Sequence, residues 1–470
     1  VFCFIVLAAV QLFSAPLTDA DKVSLDGLTL TSAEQITLAT NKDINIVRQR
    51  FEETRQIYNQ AVAKWFPTAT YSAYMKQYQN TETVGTKHVY GSNVEFGQPL
   101  FSTDKYYNLA LKKLDVDQYA FDLTAKSNDL VFAIRKAYYN VVLGGEQVAA
   151  NKENVELLAE GMQTEQRKFE LGESTEFDVN QSKVRVAQAL STYYVEAAKL
   201  NTARNELIDL LGVDADREKE LRLVATEIPV REVKDLNDRI MKLGIIRKDL
   251  ERQDIAKEKL ALDLGKMQKD LNEQIFTDEE IEAWEQLAID NRPDVKKQKV
   301  ALEHTRKTLS SRRAKYLPDL SLFANYGVGS LNDRPFGSMQ YHWNYGFSFN
   351  WDLFDGFGRE FKIREAKAST TAGTIAYTKI IEETRLRVRN TFYNIQQALL
   401  AYFAAQEGLQ HSDTAIQQAK VRLDVGEITP LEYREAVTAH TQTKSTLNEA
   451  SFALLVSYYS LLHVTGDQTL

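Results

Sequence analysis

Tyr341-His342-Trp343-Asn344-Tyr345-Gly346-Phe347-Ser348-Phe349-Asn350-Trp351-Asp352-Leu353 alternates without a break: odd positions are aromatic or leucine, even positions polar or glycine. Successive side chains of a strand point to opposite faces, so this pattern gathers every apolar group on one side of a sheet. A transmembrane strand needs about 9–11 residues, and aromatic rings collect at the membrane interfaces. The stretch therefore predicts a membrane strand with Tyr341, Trp343, Tyr345, Phe347, Phe349 and Trp351 on its apolar face. A soluble sandwich packed on one face is the competing account, and the long helical segments beside the strand argue against it.

Leu320–Tyr326 reads as a less regular partner. Tyr71–Tyr78 and Tyr90–Leu100 are weaker strands, with Pro99 confined to a strand end or edge. Four strands cannot form a membrane barrel alone, because the smallest barrels have about eight and an open edge is not tolerated in lipid. The chain must oligomerise to close. Two copies would supply eight strands and three would supply twelve, and counting does not choose between them.

The four strands belong to an internal duplication. Lys64-Trp65-Phe66-Pro67 returns as Lys315-Tyr316-Leu317-Pro318, and Leu100-Phe101 as Leu353-Phe354. Arg135-Lys136-Ala137-Tyr138-Tyr139-Asn140-Val141 returns as Arg389-Asn390-Thr391-Phe392-Tyr393-Asn394-Ile395, Leu171-Gly172-Glu173 as Val425-Gly426-Glu427, and Leu211-Gly212 as Thr465-Gly466. The offsets drift only from 251 to 254, which identifies homologous halves. Each half predicts a helix of about 35 residues opening on a capping box, Thr31-Ser32-Ala33-Glu34 or Thr277-Asp278-Glu279-Glu280. Pro67 and Pro318 end these helices. Two strands follow, then helical stretches over 103–170 and 176–211, repeated over 359–424 and 430–463. At ~1.5 Å per residue the first stretch approaches about 100 Å, too long to fold back into one ordinary core. Apolar spacing at Leu111, Leu114, Phe121, Leu130 and Ile134 supplies coiled-coil seams.

Composition agrees. Glycine and proline are scarce (21 and 8 of 470 residues) while charged residues reach 26%, which suits long helices. A net charge of -8 argues against nucleic acid as a partner, since phosphate binding needs a basic surface. The single cysteine, Cys3, permits no disulfide framework. It lies in the apolar run Val1–Ala15, read as the remnant of a secretory signal peptide within residues 1–20. Beyond it no run reaches the length of a membrane helix, so a membrane span has to be built from strands. The division that follows is a first repeat over 21–212, a charged connector over 213–276 and a second repeat over 277–470. Arg247-Lys248-Asp249-Leu250-Glu251-Arg252 gives the connector a mixed-charge helical rhythm, read as an enlarged girdle segment with a solvated surface.

With its duplicated order of helix, two strands and two helices, the chain resembles the outer membrane efflux protein family, the TolC-like channels. Further carriers are the turn Trp351-Asp352-Leu353-Phe354-Asp355-Gly356, Ala137-Tyr138-Tyr139, the Gly172 and Gly426 turns, and Ala203-Arg204-Asn205-Glu206-Leu207 before Leu211-Gly212. The resemblance covers nearly all the chain after the leader. It implies a mainly α fold with a small β part: a homotrimer with a twelve-stranded outer-membrane β-barrel continued by a long α-helical periplasmic tunnel. It also implies a periplasmic adaptor and an inner-membrane transporter as partners.

Position after the turn glycines matches Asp178 and Gln181, and Glu432 and Glu435, to the family's acidic constriction. Glu432 and Glu435 are three residues apart and share a helix face, so a trimer would stack them as rings that focus cations. Solvated surface charge is the equally weighted account, and Gln181 thins the first-half ring. The adaptor-docking turns correspond to Leu171, Gly172 and Glu173 and to Val425, Gly426 and Glu427. Glutamate stands where the family has leucine in both, and glycine is also an ordinary helix C-cap.

His88, His304, His342, His411, His440 and His463 show no metal-ligand spacing, and neither a G-x-S-x-G elbow nor a P-loop occurs. The sequence thus predicts no enzyme, no metal and no cofactor. The resemblance implies a passive, gated exit duct of a tripartite efflux or type I secretion system. The alternative is a periplasmic coiled-coil structural or adaptor protein without a pore.

Overall fold

A computed structural model describes residues 25–80, 85–224, 276, 278–330, 339–425 and 427–466. The expectations for the leader, for Gly426, for Thr277 and for most of the connector, Arg247–Arg252 included, lie outside the described residues. The first repeat contains α1 (Leu30–Thr40), α2 (Lys42–Ala63), β1 (Thr68–Asn80), β2 (Gly85–Phe101), α3 (Thr103–Glu170) and α4 (Glu176–Leu211). The second contains α5 (Asp278–Asn291), α6 (Pro293–Ala314), β3 (Asp319–Ser330), β4 (Met339–Asn350), α7 (Gly358–Asp424) and α8 (Pro430–Thr465).

The opening helix of each repeat is two helices, a correction to the single 35-residue helix expected. Its capping box also sits two residues earlier than expected. Thr29 and Ser32 exchange the reciprocal bonds, while Glu34 is engaged by Arg135. The first break is made by Asn41, whose backbone is extended (φ −57°, ψ 129°). Its Oδ1 accepts from the amides of Asp43 and Ile44 at 2.9 and 3.3 Å and so caps α2. Pro293 makes the second break by opening α6, where a missing amide costs nothing.

Both breaks receive the end of a later helix. Thr40 Oγ1 and Asn41 Nδ2 donate to the carbonyls of Leu211 and Leu210, while Arg292 Nη1 donates to that of Val464 at 3.0 Å. The C-cap glycines Gly212 and Gly466 are left-handed (φ 69° and 73°). A Cβ on Gly212 would lie 2.8 Å from Asn41 Cα, and one on Gly466 would lie 3.0 Å from Arg292 Cα. Glycine is required there for conformation and for space.

The chain forms two compact units, and each repeat contributes to both. One comprises 48–123 and 294–380 and holds the sheet, in the order β1-β2-β3-β4 with every neighbour antiparallel. Its helical segments are joined by ion pairs such as Lys297–Asp122 at 2.7 Å. The sheet's base repeats one contact with different residues: Gln98 Nε2 donates to the carbonyl of Trp65, and Trp351 Nε1 to that of Tyr316.

The other unit comprises 1–47, 124–293 and 381–470. Its core is built from the repeat motifs. Ile134, Tyr138 and Tyr139 of α3 cluster with Leu207 and Leu211 of α4, Trp284 of α5, Phe392 and Ile395 of α7, and Leu454 and Leu455 of α8. Burial of each large apolar side chain contributes about 1.5–3 kcal/mol. The arginine of each motif reaches back to its opening helix: Arg135 Nε meets Glu34 at 2.6 Å, and Arg389 Nε meets Glu285 at 2.5 Å. Among the described residues no helix is long and apolar enough to cross a membrane.

Candidate functional site

Strand register sorts the sheet's two faces by chemistry. Tyr71 faces Val94, Val94 faces Tyr326, and Tyr326 faces Trp343. The neighbouring row on the same face is Ala69, Phe96, Ala324 and Tyr345. Leu322–Phe347 and Leu320–Phe349 extend it. One face is therefore apolar across all four strands, although only β4 displays that pattern cleanly in sequence. Its residues are open: Tyr341, Trp343, Tyr345, Phe347 and Phe349 are each more than 60% exposed. An apolar band of this size, uncovered by protein, marks a surface meant for lipid or a partner.

On the opposite face one row reads Thr70, Glu95, Asn325 and Asn344, and the next reads Ser72, Asn93, Gly327 and His342. Directly opposed ring–glycine pairs pack this face. The rings of Tyr74, His342 and Phe323 lie over Gly91, Gly327 and Gly346, where a Cβ would collide with or crowd them. Glycine lets a large ring lie flat across its neighbour strand. Apolar outside and polar inside is the arrangement of a membrane barrel wall. Among the described residues the sheet nonetheless ends in two unpaired edges, β1 and β4.

The hairpin turns follow the C-terminal residues of α3 and α7. Gly172 is left-handed (φ 77°). The amide of Glu173 returns to the carbonyl of Lys168 at 2.8 Å, and that of Glu427 to Arg422 at 2.8 Å. The two turns thus share one helix-ending hydrogen bond. Leu171 and Val425 are about three-quarters and two-thirds exposed (74% and 67%), and Phe177 in the first turn of α4 is also open. Glu427 lies 3.3 Å from Arg422.

Asp178 and Glu432 occupy the same structural place. Each is the third residue of its helix and completes a capping box, Asp178 with Thr175 and Glu432 with Thr429. The Thr175 side-chain bond holds the Asp178 carboxyl below its ordinary range, and the Thr429 backbone bond does the same for Glu432. Gln181 and Glu435 are exposed one turn on, with Glu435 3.9 Å from Arg185.

Sequence reading missed the group that joins these helices. Arg434 lies 3.7 Å from Glu165 and donates to Ser182 Oγ at 3.1 Å. Ser174 Oγ donates to Glu165 at 3.2 Å. Desolvation lowers the Arg434 pKa. In the repeat alignment Arg434, Glu165 and Ser182 fall opposite Asn180, Ala419 and Ala436, so no internal echo could expose them. Among the described residues no cluster of histidine, cysteine and carboxylate side chains could hold a metal.

Comparison with known proteins decides the assignment. The sequence model of the outer membrane efflux protein family matches residues 34–213 and 284–467. The chain belongs to the outer membrane efflux protein family. The match falls in two blocks, one per repeat, and leaves out most of the connector. No curated protein sequence matches the chain. Solved structures similar in fold include the CmeC outer-membrane channel of Campylobacter jejuni, with a TM-score of 0.73 and 16% identity over 93% of this chain and 85% of CmeC. The outer-membrane protein VceC of Vibrio cholerae superposes with a TM-score of 0.71 and 14% identity, over 93% and 96% of the two chains. The open-state MtrE channel of Neisseria gonorrhoeae gives 0.67 and 16%, over 93% and 89%. As an outer membrane efflux protein the chain is an export duct in the outer membrane.

Proposed function

We propose that three copies of the chain close their sheets into a twelve-stranded outer-membrane barrel and act as the passive, gated exit duct of a tripartite efflux or secretion system. The observation that carries this reading is the four-stranded sheet with one apolar face, one polar face and two free edges. Closure removes the edges, turns the apolar rows to lipid and encloses a polar lumen. In this reading the described parts of the two repeats, within 21–212 and 277–470, act as equivalent units of the wall.

The inner end is constricted by rings of Asp178, Gln181, Glu432 and Glu435. Their carboxylates focus cations, because like charges converging on one axis raise the local field. The turns at Leu171-Gly172-Glu173 and Val425-Gly426-Glu427 present exposed apolar side chains to a periplasmic adaptor that couples the duct to an inner-membrane transporter. Engagement at these turns opens the constriction, and the transporter supplies the work.

Fractionation with native mass measurement tests this reading. The protein should remain in outer membranes through carbonate washing and leave detergent extraction with the mass of three chains. Release by carbonate as a single chain would instead favour a coiled-coil protein without a pore.

A further inference from the structure

The duplication extends to strand register. Thr68 faces Gly97 in the first hairpin. Advancing these two by the motif offsets of 251 and 253 gives Asp319 and Asn350, which face each other in the second hairpin. The offsets come from Pro67–Pro318 and from Leu100-Phe101–Leu353-Phe354, so sequence and structure agree independently that the hairpins are congruent. The junction between the repeats, β2 on β3, is therefore a template for a junction that a single chain lacks, β4 on the β1 of another copy.

We propose that β4 pairs antiparallel with β1 of the next copy in the register fixed by β2 and β3, so that Phe347 faces Met75, Phe349 faces Ala73, Asn350 faces Ser72 and Ser348 faces Tyr74 of that copy. These pairs are the images of Val94–Tyr326, Phe96–Ala324, Gly97–Phe323 and Glu95–Asn325. This rests on the barrel reading above and adds which residues meet at its seams. The chemistry agrees with the arithmetic. Phe347, Phe349, Met75 and Ala73 all lie on the apolar face, whereas a slip of one residue would turn every side chain of one strand to the wrong face.

Two features left open by a single chain follow from the same displacement. β2 runs on to Phe101 because Pro99 and Phe101 find partners on β3 across a bulge. β4 stops at Asn350, although the alternation continues to Leu353, and Trp351 and Leu353 stand exposed. The image of the β2 extension is Trp351–Phe354, which gains its partners from the first residues of the next copy's β1. In the helical unit, Tyr139 is buried and stacks on Tyr459. Its counterpart Tyr393 is 49% exposed, because the counterpart of Tyr459 is Asn205 of the next copy.

Cysteine cross-linking in a Cys3→Ser background reads the register. Ser72→Cys with Asn350→Cys brings two thiols directly opposite, and the strand spacing lies within disulfide reach. Ser72→Cys with Ser348→Cys places them on a diagonal, about 7–8 Å apart and outside it. Glu95→Cys with Asn325→Cys is the intrachain control of the same pair type. In detergent-extracted protein under mild oxidation, the first variant should give a ladder of covalent dimer and trimer at least ten-fold more intense than the second. A stronger ladder from the second variant would overturn the register while leaving a closed barrel. Intermolecular bonds in neither, with the intrachain control formed, would overturn the seam itself. Trimeric mass and membrane retention of the same samples would show whether the barrel reading falls with it.

Discussion

At the scale of single residues, the left-handed glycines separate two kinds of demand. Gly172 needs only its conformation, since a Cβ there would meet nothing within 4 Å. Gly172→Ala should therefore cost the ordinary left-handed penalty of about 1–2 kcal/mol. Gly212 carries the same demand and also backs onto Asn41, so Gly212→Ala must displace backbone as well. Thermal unfolding of the two variants should show the larger loss at Gly212, and equal losses would contradict the docked helix break. The acidic positions carry a second prediction. Asp178 and Glu432 have depressed pKa values, so the stability they add is complete above the unfolded-state value and is lost as pH falls through the lower folded one. Both stay ionised in mild acid, so cation selectivity should be the same at pH 7 and at about pH 5. Glu432→Gln/Glu435→Gln should reduce that selectivity, and an unchanged reversal potential would remove these residues from the constriction. The capping role of Asp178 and Glu432 was legible in the sequence, since Thr175 and Thr429 precede each by three residues.

At the scale of elements, the strands and long helices were written plainly where one physical rule dominated. Alternation marked β4, and proline marked the ends of α2 and α6. β1 was faint because Tyr74 is a large ring on the polar face, placed there by Gly91 across the ladder, and a ring on the wrong face blurs the pattern. The break at Asn41 was hidden because a capping asparagine makes it without proline. Pro293 was visible in the second copy, and the duplication could have carried that break back to the first. The arginine–glutamate clamps were open to the same reasoning, and they differ in a way that predicts behaviour. Arg135 and Glu34 are both largely covered (15% and 19% exposed), whereas Arg389 is half exposed and its partner Glu285 also has Arg385 within 3.8 Å. Removing Arg135 leaves a mostly buried carboxylate alone, and Arg135→Ala should cost about 2 kcal/mol. Arg389→Ala should cost less, since the exposed arginine is screened by solvent and the covered Glu285 keeps a second cation in Arg385. Equal shifts in thermal unfolding would contradict this account of the two clamps.

At the scale of the whole molecule, the proposed assembly gives a chain built from two copies of one unit neighbours on both sides that resemble its own internal junction. In the proposed assembly, four strands and two free edges are enough to specify a closed wall. Oligomer number was not legible from strand counting, since eight and twelve strands are both physically sound. The Arg434–Glu165–Ser182 junction was not legible either, because it occurs once and leaves no trace in the repeat. The central claim is that this chain forms a water-filled pore, and planar-bilayer recording of the detergent-extracted protein tests it most directly. The account predicts discrete, cation-selective conductance steps from the unmodified protein. A protein that enters the bilayer, or fails to, without producing any step would contradict it.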